Sequence, residues 1–106
     1  MRILLGLAAL SALVATSASA APAHLSDAAY LEAARCVGLA SSKSLGGDAK
    51  GMQAWLQTER GTRPGFILDK GDEMQQEAKR QADRANEFVK PHLQAELNGE
   101  CATLKG

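Results

Sequence analysis

His92, Glu96 and Glu100 recur every four residues. On a helix, that spacing lines an imidazole and two carboxylates along one face, and these are ligand types that hold zinc. A lone imidazole with no second His or Cys pair reads instead as a solvated helical face, so no metal is expected. His24, the other histidine, falls in the N-terminal lead. Cys36 and Cys101 are the only thiols. A redox pair wants two Cys close in sequence, and a Cys nucleophile needs a His base beside it. Neither pattern is present, and the pair reads as a structural Cys36–Cys101 disulfide. Carboxylate catalysis needs an apolar cleft that raises one pKa, whereas the acidic residues here fall on faces expected to be wet. With no Gly-x-Ser-x-Gly and no phosphate-loop pattern either, neither an enzyme nor a cofactor site is expected.

Three weaker features concern binding. Gly46-Gly47-Asp48 precedes a helix start, where free amides attract anions, but Asp48 is expected to take those amides as the cap. Arg60 and Arg63 flank the Gly61–Gly65 turn. Trp55 reads first as a core anchor; exposed, it would be a natural contact residue. Trp55, Arg60 and Arg63 are therefore the candidate partner contacts.

The elements that carry these residues are helical. Ser26 is a good N-cap with Asp27 in the first turn, and Ala29, Ala33, Cys36, Val37 and Ala40 share one helical face. Ser41–Gly47 reads as a loop. Asp48 opens a second helix with Ala49, Met52, Trp55 and Leu56 on one side, ending near Gly61. The longest periodic stretch follows: Ile67, Gly71, Met74, Ala78, Ala82, Ala85, Phe88 and Val89. Its other faces are densely charged, with Glu77–Arg80, Arg80–Asp83 and Arg84–Glu87 at i, i+3 spacing. The apolar residues after Pro91 (Leu93, Leu97, Cys101, Leu104) point elsewhere, so a break or kink at Pro91 is expected. The fold class predicted is all-α: a bundle of three to four helices, joined first to last by one disulfide.

Met1-Arg2, the apolar run Ile3–Val14 and the small-residue tripeptide Ala18-Ser19-Ala20 match a secretory signal peptide. Cleavage is expected after Ala20, or after Ala23 in the alternative; the run is too short to span a bilayer. The organisation read from the chain is a leader at 1–20, a flexible lead at 21–25 and one helical domain at 26–106. The leader takes 14 apolar residues with it, and Leu, Ile, Val and Phe then number 14 of the remaining 86, a thin core. Twelve basic residues against twelve acidic ones give no electrostatic reason to expect nucleic acid. No stable membrane anchor is expected after cleavage. The expected function is that of an exported protein, periplasmic if bacterial, that binds another exported or envelope protein without catalysis. A stress-protective holdase and an immunity-type inhibitor of a secreted toxin are the alternatives.

Overall fold

The side chain of Ser26 accepts the Ala29 amide at 3.1 Å and opens the first helix, α1 (Asp27–Ala40). This is the capping geometry that supplies a partner to one of the unpaired amides of a first turn. The computed structural model describes residues 25–104; the leader expected at 1–20 and the lead as far as 24 lie outside the described residues. A short 3₁₀ turn (Lys43–Leu45) follows α1. Then come α2 (Lys50–Arg60), α3 (Gly65–Asp83), α4 (Lys90–Asn98) and a final turn of helix, α5 (Glu100–Thr103). The described residues are helical without strands, and the first and last helices are joined by the Cys36–Cys101 disulfide, as the sequence predicts. No helix among them is long and apolar enough to cross a membrane.

The sequence suggests a single apolar stripe on α1, but the second half of that helix is buried nearly all round: Ala33, Ala34, Cys36, Val37, Gly38, Leu39 and Ala40. Burial on every side is the mark of a central helix. α3 packs along α1, while α2, the 3₁₀ turn and α4 cover its other sides. Small residues let α1 and α3 approach closely. A Cβ on Gly38 would run into the backbone carbonyl of Gln75 and come within 2.9 Å of the Ala78 Cβ; one on Gly71 would lie 3.0 Å from the Tyr30 ring. Tyr30 is fully buried and fills the space that these small side chains leave.

α3 ends at Asp83, well before Pro91. Asn86 causes this: its side-chain oxygen accepts the amides of Phe88 and Val89, both at 2.9 Å. Asparagine side chains compete in this way with helical hydrogen bonds. The turn so formed leads into α4, which carries Pro91 in its first turn, the position where a missing amide costs least. One expectation is overturned here. Phe88 and Val89 do not continue the apolar stripe; they are 76% and 39% exposed.

Candidate functional site

The disulfide anchors the C-terminal end of the fold. Cys36 and Cys101 are both fully buried, with Cα atoms 5.6 Å apart. Beside Cys101 lies a depression of about 330 Å³. Leu45, Met52 and Leu97 line it, together with the Gly46–Asp48 loop. Asp48 accepts the Lys50 amide at 3.0 Å, so one donor at the start of α2 is already engaged.

The expected zinc-spaced trio is divided by its contacts. Glu96 receives two hydrogen bonds from Arg35 of α1, at 2.7 and 2.9 Å, and His92 and Glu100 are exposed. The Arg35 guanidinium also donates to Gln81 of α3 at 3.1 Å, so one side chain joins three helices. The Glu96 hydrogen bonds hold Arg35 above its ordinary pKa. No group of three or more potential ligands with metal-site geometry occurs among the described residues.

Arg63 is turned inward, its side chain only 5% exposed. It donates to Glu59 and to Asp27, each at 2.8 Å, and to the Leu25 carbonyl. Its guanidinium also lies 5.1 Å from the centroid of the Tyr30 ring, within reach of a cation–π attraction. Burial opposes its charge, but the hydrogen bonds to Asp27 and Glu59 outweigh burial and raise its pKa. The Leu25 amide donates in turn to Glu59 at 3.2 Å. Leu25, expected in a flexible lead, is thus tied by both backbone groups to the end of α2 and the turn after it. The arrangement locks the start of α1 to that turn; Arg63 Nε has no hydrogen-bond partner but is buried, so it is not presented to a partner at the surface. Arg60 reaches Asp72 of α3 at 2.9 Å and is about one-third exposed. Trp55 is half-buried against the core.

At the far end of the bundle, the buried Ser42 hydroxyl donates to Asp83 at 2.6 Å, and Lys79 reaches the other carboxylate oxygen at 2.9 Å. Together they lower the Asp83 pKa, the Ser42 hydrogen bond contributing most.

No protein-family model, curated protein or solved structure matches this chain. Its chemistry is therefore read from its own surface. Two side chains that sequence reasoning assigned no contact role stand out there. Phe66 and Phe88, the only phenylalanines, are 72% and 76% exposed. Phe66 is the second residue of α3, directly after Pro64 and Gly65, where its place in the helical repeat signals an outward direction. Phe88 is turned out by Asn86, a signal that the apolar periodicity masked. Between them, along the outer side of α3, run two adjoining depressions that share Glu77 and Arg80.

Proposed function

We propose that this chain is an exported, disulfide-stapled helical protein that works by binding protein rather than by catalysis. The observation that carries this reading is the exposure of Phe66 and Phe88. A chain this poor in large apolar residues gains about 25 cal/mol for each Å² of apolar surface that it buries, yet both phenylalanines stay in water. Exposed aromatic side chains are frequent anchors at protein interfaces. The buried Arg63–Glu59 pair and the half-buried Arg35–Glu96 pair favour the same reading, since they are spent on holding helices together and are not gathered in a cleft.

The test is chemical cross-linking in the envelope or culture fluid of the producing cell, comparing the natural protein with Phe66→Ser/Phe88→Ser. Exposed substitutions of this kind change stability by about 0.5 kcal/mol or less. A protein cross-linked by the natural form and reduced at least about tenfold with the variant supports the reading. An unchanged set of cross-linked species refutes it.

A holdase role is the second reading, favoured by the carboxylate ties at Glu59, Asp83 and Glu96, which join separate parts of the bundle. Acid that protonates Asp83, whose pKa is lowered in the fold, would weaken its ties to Ser42 and Lys79 and help expose the apolar interior. If client proteins aggregate at low pH as fast with the protein as without it, this reading is wrong.

A further inference from the structure

The face of α3 opposite the core, continued by its C-cap residue Arg84, carries an ordered series of charges. Glu73, Glu77, Arg80 and Arg84 are spaced four, three and four residues apart. At about 100° per residue, Phe66 and these four fall within an arc of about 60°. All five are exposed, whereas Ile67, Gly71, Ala78 and Ala82 point to the opposite, buried side. The stripe is acidic in its N-terminal half and basic in its C-terminal half. Glu77 and Arg80 pair with each other at 3.0 Å. Among the described residues neither Glu73 nor Arg84 has an ion-pair partner.

We propose that this stripe is a self-complementary docking surface on which a second copy of the chain lies antiparallel. The idea rests on the protein-binding reading above and names its partner. A two-fold axis midway between Glu77 and Arg80 sets Glu77 of each copy opposite Arg80 of the other, and Glu73 opposite Arg84. Every contact is made twice, as an isologous interface requires. The parallel arrangement sets glutamate on glutamate and arginine on arginine, which repels. The antiparallel one also brings the end of α3 bearing Phe66 beside the end followed by Phe88 and Val89, which gives the exposed phenylalanines an apolar neighbour. The Glu77–Arg80 pair within one copy is exposed and contributes little, so it yields readily to the contact between copies.

The surface also sets the strength. A helix of 19 residues is about 28 Å long and about 10 Å across, so one face covers roughly 300 Å². That is below the ~800 Å² per partner of a standard stable interface. The dimer is therefore weak and sensitive to salt, because exposed charges are screened within about 10 Å at 0.1 M.

Charge exchange tests the charged surface. The basic variant is Glu73→Arg/Glu77→Arg and the acidic variant is Arg80→Glu/Arg84→Glu. Each is examined by sedimentation equilibrium of the protein as purified from its producing cell, in low salt and in high salt. The natural protein self-associates, at least about fivefold more weakly in high salt. Each variant alone associates at least tenfold more weakly than the natural protein, because all four facing positions then carry one sign. Their mixture regains association at least equal to that of the natural protein, with all four facing pairs opposite. A control mixture puts the same net charges on other exposed positions, as Glu32→Arg/Glu100→Arg with Lys43→Glu/Lys50→Glu. It gains nothing comparable. Monomeric natural protein in low salt, a mixture that stays monomeric, or a control mixture that associates equally well each overturns the proposal. Such a result leaves protein binding itself to the cross-linking comparison, where a different partner would still depend on the phenylalanines.

Discussion

Replacing Gly38 by alanine adds one methyl group to a helix, a change that by itself stabilises an α-helix by about 1 kcal/mol. At this position the sign reverses. The new Cβ would meet the backbone carbonyl of Gln75 and sit 2.9 Å from the Ala78 Cβ. A carbonyl in the body of α3 cannot swing aside as a side-chain end can, so the two helices must separate. Overpacking of this kind costs about 1–3 kcal/mol, and the upper end applies where backbone meets backbone. After the gain in helix propensity, a net loss of about 2 kcal/mol remains, roughly a thirtyfold fall in the folded-to-unfolded ratio. Gly51 supplies the internal comparison. It lies within α2 and a Cβ there meets nothing within 4 Å, so Gly51→Ala gains most of the 1 kcal/mol. In a domain of this size, each kcal/mol shifts the melting temperature by about 4–8 °C. The two variants therefore melt more than about 10 °C apart, on either side of the natural protein, when followed by helical circular dichroism. If Gly38→Ala melts at or above Gly51→Ala, the close approach of α1 and α3 is refuted.

Removal of the disulfide by Cys36→Ala/Cys101→Ala frees a loop whose ends are 65 residues apart and lowers the unfolding free energy by about 4 kcal/mol in the chain-entropy account; denaturant titration measures the difference, and a loss under about 1 kcal/mol contradicts it. Arg63→Met removes the buried guanidinium that ties Glu59, Asp27 and Leu25 together and costs about 3 kcal/mol, whereas Glu59→Gln/Arg63→Met together recover part of the loss. If the double variant is as unstable as the sum of the single ones, the two side chains do not act as a pair. The Asp83 pKa is lower in the fold than in the unfolded chain. Its contribution to stability is therefore complete above the unfolded value of about 3.9 and is lost as pH falls through the folded one. Thermal melts taken between pH 6 and strongly acidic conditions should accordingly fall less steeply in Asp83→Asn, and parallel slopes would remove Asp83 as a source of acid sensitivity.

The parts of this fold legible in the sequence are those fixed by neighbours along the chain. Ser26 caps α1 because its hydroxyl needs only the amide three residues on. The Cys36–Cys101 pairing was the single bridge available. The end of α3 was misread because apolar periodicity runs on through Phe88 and Val89, while Asn86 captures their amides. A polar side chain decided the local backbone there, against the apolar pattern. Arg63 reads from the sequence as a surface residue because its partners Leu25, Asp27 and Tyr30 lie more than thirty positions upstream. Nothing in the Gly61–Gly65 turn announces them. The Arg35–Glu96 tie is hidden for the same reason, since it spans 61 positions. The acidic and basic halves of the α3 stripe were legible as residues. Their exposure follows from the apolar periodicity, which sets the charged residues on faces expected to be wet.

The bridge between Cys36 and Cys101 also sets how the molecule responds to a broken backbone. Residues 36 to 101 form a covalent ring closed through sulfur, and the exposed Gly46–Asp48 loop belongs to that ring. A protease that cuts there opens the ring but releases no fragment, and the two pieces stay one molecule with α1 still tied to α5. Such a chain can be nicked and remain assembled, and it comes apart only when a cut and a reductant arrive together.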